Sequence, residues 1–280
     1  MNATTTADPA STFAPPENVG LAILPPPLEG RALNPVPRWM EVLREQLSSV
    51  GLALKREAMV AAGFLGLFSV FVMLDTESRG LPLSPEAGIV TALAALLIPM
   101  IIWKGEDPAR RGYHHAMPVD HGAHAIARGA AGWAWTMATV TAFLAWVGVL
   151  SAVTNGRVLN VEPWQWLGPF AGATVTYLLG SALTLVTSRP WKWVGLGAVG
   201  YVFLGEFDGS ARPLFETVDS LFSGYYGLGT VLLGLVHHEY RLPSEAWMAP
   251  DLGAWLISTM AWLAIGLTVF LWASYRQPEK

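Results

Sequence analysis

The sequence predicts an all-α integral membrane protein: a polytopic bundle of about six transmembrane helices, with an N-terminal amphipathic interfacial helix and a re-entrant outer segment before the last span. Three observations lead there. Charged residues make up 14% of the 280 and hydrophobic ones 52%, against about 25% charged in a typical soluble domain, and the mean hydropathy is +0.40. Several uncharged runs approach or exceed the ~20 residues that cross a bilayer core. Many of the 13 tryptophans stand at the ends of those runs, among them Trp103, Trp164, Trp166, Trp191, Trp193 and Trp272, as interfacial belts require.

Composition also excludes. A net charge of −4 gives no basic footprint for nucleic acid. The absence of cysteine removes disulfides, thiolate metal sites and cysteine nucleophiles together.

Residues 1–37 form a Pro-, Ala-, Thr- and Ser-rich cytoplasmic tail, including Pro25-Pro26-Pro27, with too little apolar surface to order itself. It lacks the basic start and continuous apolar core of a signal peptide, so the N-terminus is expected in the cytoplasm. Arg38–Glu57 repeats apolar residues at three and four spacing (Trp39, Val42, Leu43, Leu47, Val50, Leu54), which predicts an amphipathic helix lying flat at the interface. The membrane domain then runs over 58–276, leaving 277–280 as a cytoplasmic tail.

Within that domain, Ala58–Leu74 is the first span and Ala87–Trp103 the second, joined outside by an acidic link holding Asp75, Glu77 and Glu86. Segment 104–129 between spans two and three carries Lys104, Arg110, Arg111 and Arg128, which places it in the cytoplasm. Its part Pro118–Arg128 reads as a short surface helix, with Pro118 in the first turn, Asp120 near the start and Arg128 at the end. Ala130–Thr154 is the third span and Trp166–Thr187 the fourth. The Ser188–Lys192 corner returns two cations inside. Trp193–Gly205 is apolar but short, charged residues follow, and Ser220–Val236 is uncharged yet interrupted by Gly224, Gly227, Gly229 and Gly234. Six crossings result if this second segment is re-entrant on the outer face, seven if it crosses; the six-span arrangement is the expectation. Leu252–Tyr275 is the last span.

Chemical signatures are sparse. The phosphate loop GxxxxGK[ST], HExxH and GxSxG are all absent, so no ATPase, zinc-protease or hydrolase device is on this chain. No Asp, Glu, Lys or Arg interrupts spans one to four or the last, which argues against ion coupling through a buried carboxylate. His114, His115, His121 and His124 form one histidine group and His237, His238 and Glu239 another. Metal or haem ligation is the functional alternative. All lie in polar segments, on opposite sides of a six-span bundle, and read as solvated loop residues; no metal and no cofactor is expected.

In this order of elements, and in the local text Glu106-Asp107, Gly112, Pro118-Val119-Asp120 and then Ala125–Gly132, the chain resembles the membrane permease subunit of ABC transporters of the type-2 exporter class. Arg111-Gly112-Tyr113 stands where that family commonly has Gly-Thr. The resemblance implies a coupling helix seated on a separate ABC ATPase subunit, with ATP bound there, and a surface made by Pro118, Val119, His121, His124 and Arg128. It also implies a re-entrant segment over Phe215–Val236, with Gly224, Tyr225, Tyr226 and Gly227 near an outer gate. The expected function follows: a non-enzymatic transport subunit of the inner or plasma membrane, dimerising with itself or another permease to export an amphipathic or lipid-like substrate. The competing class is a non-transporting accessory or structural subunit of a larger membrane complex, in which Gly and Trp residues serve helix packing. A haem protein or membrane enzyme using the histidines is the third class.

Overall fold

The computed structural model describes residues 39–74, 83, 88–106, 121–156, 162–206, 217, 226–233, 236–237, 247–248 and 252–276. The tail 1–37, the acidic link over most of 75–87, the loop 107–120, much of 207–225 and the last four residues lie outside them.

Most described residues are helical, and two two-residue strands, β1 (Val236–His237) and β2 (Trp247–Met248), pair antiparallel. The helices are α1 (Trp39–Leu74), α2 (Gly88–Ile102), α3 (His121–Val153), α4 (Gly168–Val186), α5 (Pro190–Glu206), α6 (Leu228–Leu233) and α7 (Leu252–Tyr275). Short 3₁₀ turns at Trp103–Glu106 and Pro163–Leu167 extend α2 and precede α4. Four stretches are long and apolar enough to cross a membrane: Trp39–Leu74, Gly122–Val153, Pro163–Val186 and Leu252–Tyr275.

The structure departs from the sequence reading at α1. The expected interfacial helix and the first span are one continuous helix of 36 residues, about 54 Å at 1.5 Å per residue. No proline separates Arg38–Glu57 from Ala58–Leu74, so nothing interrupts the hydrogen-bond ladder. The apolar stripe of its first half packs within the protein: Val50 is fully buried, with Leu43, Leu47 and Leu54 against the same core. Its second half shows Phe64, Leu67, Phe71 and Leu74 at the surface, as a helix bathed in lipid does.

The same departure recurs at α3. Pro118–Arg128 was expected as a separate surface helix, yet 121–128 is the beginning of a 33-residue helix continuous with the third span. At its other end Asn155 adopts a left-handed conformation (φ 53°), and the Gly156 amide donates back to the Ser151 carbonyl at 2.7 Å. That is a Schellman-type stop, in a place where asparagine tolerates positive φ.

α4 lies at the centre, burying most of its length against α2, α3, α6 and α7. Its core includes Ala173, Tyr177, Ala182 and Leu185, joined by Ile98, Ile102 and Trp103 from the α2 region, Ala125, Ala131 and Val140 from α3, and Phe270 and Ala273 from α7. Glycine brings α2 and α4 together: a Cβ on Gly180 would lie 2.9 Å from the Leu96 carbonyl oxygen. By contrast, a Cβ on Gly195, Gly197 or Gly200 of α5 would meet nothing within 4 Å, and Trp191, Trp193, Leu196 and Val199 are exposed.

Side-chain contacts fix the helix directions. Leu47 and Ser69 meet Trp135 and Trp146, so α1 and α3 run the same way. Thr174 and Tyr177 meet Trp133 and Gly129, so α4 opposes α3. Leu83 lies by Gly148 and Ile102 by Gly132, so α2 also opposes α3. Trp164 packs against Trp255, the rings tilted by 45° with centres 5.3 Å apart, while Leu178 packs at Gly266, so α7 runs with α4.

Candidate functional site

Two polar constellations stand at opposite ends of this bundle, and each uses part of the sequence-predicted site.

The first is where α2 ends and α3 begins. Arg128 is the single Asp, Glu, Lys or Arg residue within α2, α3, α4 and α7. Its Nη2 donates to the Ile102 carbonyl at 2.8 Å, and its guanidinium carbon lies 5.7 Å from the Trp103 ring centre. The last carbonyls of a helix carry negative partial charge and lack intrahelical donors; Arg128 supplies both a donor and a cation there. At the next residue, the Tyr177 hydroxyl donates to the Gly129 carbonyl at 2.9 Å. It reaches that atom because Gly132 has no side chain: a Cβ there would collide with the Tyr177 oxygen and with Ile102 Cδ1.

Part of the segment expected to face a partner packs inward. Ala125 and Ala127, 2% and 0% exposed, belong to the protein's own interior. His124 and Arg128 are half-buried. Pro118 and Val119 lie outside the described residues, and of His121 the structure gives only its place at the head of α3. Lys104, at the end of the α2 region, is exposed.

The second constellation is at the start of α7. Ser258 Oγ lies within hydrogen-bond reach of both the Tyr226 and Gly227 carbonyls, at 3.2 and 3.3 Å, and Trp262 Nε1 donates to Tyr226 O at 3.2 Å. They hold the turn that opens α6, whose Val231 and Leu228 pack against Val175 of α4. Of the expected outer-gate residues, Gly227 is buried and Tyr226 is 57% exposed. Gly224 and Tyr225 lie outside the described residues. Pro163–Leu167 borders this end, started by a capping box in which Glu162 and Gln165 exchange backbone and side-chain bonds.

The sequence reading passed over Tyr177, Ser258 and Thr259, and gave no role to Trp255. The signal for them was available as hydroxyl and indole groups inside otherwise apolar spans, where unpaired polar atoms are costly. Among the described residues no group of three or more His, Asp or Glu is placed to hold a metal ion. His114, His115, His238 and Glu239 fall outside them.

Comparison with protein-family models, with curated proteins and with solved structures finds no match.

Proposed function

We propose that the chain is the transmembrane subunit of an ATP-driven exporter of the type-2 ABC class, working with a separate ATPase subunit and a second permease copy on an amphipathic or lipid-like substrate. The observation that carries this reading is directional. α1 and α3 run one way and α2, α4 and α7 the other. α6, six residues long, is far too short to cross. With α5 as the crossing between α4 and that short segment, the count is six, and α1 begins on the side where α7 ends. α6, held between α4 and α7 at the opposite end, supports the re-entrant segment. The basic segment joining α2 to α3 falls on the side of the termini in this layout, and its cations support a cytoplasmic position for that side, with the chain in an inner or plasma membrane.

The contact with the ATPase is assigned to 104–120 rather than to the face of Ala125 and Arg128, which the bundle occupies. Purification of the tagged full chain from its own membrane tests the reading. A complex containing an ATP-hydrolysing subunit, lost on replacing 107–120 by a Gly/Ser linker of equal length, is the expected result. Recovery in a stable assembly without such a subunit would establish the accessory-subunit class instead.

A further inference from the structure

We propose that Arg189, Lys192 and Arg276 form a binding site for the phosphodiester headgroup of an anionic membrane lipid, at the end of the bundle where α4 and α7 finish. The site does not rest on the permease reading.

The three cations leave adjoining elements. Leu178 of α4 lies against Gly266 of α7 and the two helices run in parallel. Val186 and Ser274, each about 12 Å further along at 1.5 Å per residue, therefore stand at one level, and Arg189 and Arg276 follow them. The Arg276 amide donates to the Trp272 carbonyl at 3.0 Å, which keeps the last turn of α7 closed. Its guanidinium carbon lies 4.8 Å from the Trp272 ring centre. A ring face attracts the cation without consuming its N–H groups, which stay free for a phosphate held bidentately. The corner into α5 is tied as well. The Arg189 amide donates to Thr187 Oγ1 and the Lys192 amide to the Arg189 carbonyl, both at 3.1 Å.

All three side chains are exposed, and 163–205 and 252–276 contain no Asp or Glu, in a chain whose net charge is −4. Helix-end electrostatics account for Arg189 and Arg276, each beyond a C-terminus. They do not account for Lys192, in the first turn of α5, where a cation is disfavoured. A shared anion accounts for all three. The surroundings select a lipid over free phosphate. Val186, Trp191, Trp193, Trp272 and Tyr275 are exposed around the same ends, so apolar surface for acyl chains adjoins the charges, with tryptophan at headgroup level as membrane interfaces have it. Clustered cations at helix ends are what anionic headgroups recognise.

Native mass spectrometry of the full-length, delipidated protein tests this, titrating dioleoyl phosphatidylglycerol against dioleoyl phosphatidylcholine, which has the same chains and no net charge. Wild type should bind phosphatidylglycerol more tightly. Arg189→Gln, Lys192→Gln and Arg276→Gln should each weaken that binding about 5-fold, leave phosphatidylcholine binding unchanged, and together abolish the preference. Lys55→Gln and Arg56→Gln, at exposed cations of α1, should leave the preference intact. Melting temperature reports folding for every variant. A folded triple variant with the wild-type preference overturns the site. So does an equal loss in the α1 variants, which would make the attraction diffuse, or displacement of phosphatidylglycerol by inorganic phosphate, which would make the ligand a free anion. A subunit lost from the triple variant's purified complex, with lipid preference unchanged, would give this rim to a protein partner instead.

Discussion

The Arg128 guanidinium donates to the Ile102 carbonyl oxygen at 2.8 Å, with the Trp103 ring beneath it. One cation thereby closes the end of α2 and fixes where α3 enters the bundle. A hydrogen bond from a charged donor contributes about 1.5–3 kcal/mol, and an arginine held at two points is not replaced by a lysine. Arg128→Lys should therefore lower the melting temperature of the isolated protein slightly and Arg128→Met more. Arg128→Glu should lower it most, because it sets a carboxylate against the negative end of α2. A melt in detergent without any partner reads this order. Three variants melting with wild type would show that the tie contributes nothing.

Glycines at helix crossings should behave oppositely to glycines in open space. Gly180→Ala drives a methyl to 2.9 Å from the Leu96 carbonyl oxygen, which belongs to backbone and has no rotamer to change. Gly132→Ala collides with the Tyr177 oxygen and with Ile102. Each should cost about 1–3 kcal/mol, as overpacking does, and lower the melting temperature. Gly195→Ala and Gly197→Ala meet nothing within 4 Å and should be neutral or slightly stabilising, since alanine is the better helix former. Equal melting of all four variants would remove the distinction.

The uncharged runs were legible because lipid leaves an apolar segment few alternatives to a helix. The last span, expected at Leu252–Tyr275, is found there, and α2 at Gly88–Ile102 is within a residue of expectation at each end. Less legible was what the polar ends of α1 and α3 pack against. Leu43, Leu47 and Val50 give the same stripe whether it faces a membrane surface or another helix. Here Trp135 settles the matter, its indole donating to the Leu47 carbonyl at 2.9 Å. The small residues Gly122, Ala123 and Ala125 likewise read as room for a partner. Smallness permits close approach by any neighbour, and with Ala125 that neighbour is the bundle's own core. Periodicity shows that a face is buried and not by what.

The parallel register of α4 and α7 is open to a covalent test. An ideal Cβ on Gly266 lies 3.2 Å from the Leu178 Cβ, close to the 3.5–4.5 Å of disulfides. The chain has no cysteine of its own, so the pair Leu178→Cys and Gly266→Cys should cross-link under mild oxidant in native membranes without background. The pair Val186→Cys and Gly266→Cys, with the first cysteine about 12 Å further along α4 at 1.5 Å per residue, should not. Cross-linking of the second pair and not the first would reverse the assignment.

The six-crossing topology makes the final prediction, and α5 is its decisive element. α5 is 17 residues long, about 25 Å, with Gly195, Gly197 and Gly200 in open space. Were it to lie along the surface, α7 could not end on the side where α1 begins, because an odd number of crossings would remain. A fluorescent protein fused after Lys280 and another fused before Met1 should therefore both glow in the cytoplasm. Alkaline phosphatase fused after Gly209, beyond the end of α5, should be active, since the enzyme folds only where disulfides form. Fusion after Arg189, in the corner where the Arg189 amide donates to Thr187 Oγ1 at 3.1 Å, should leave it inactive. A phosphatase active after Lys280 but not after Gly209 would take α5 out of the membrane and, with it, the layout on which the permease reading rests.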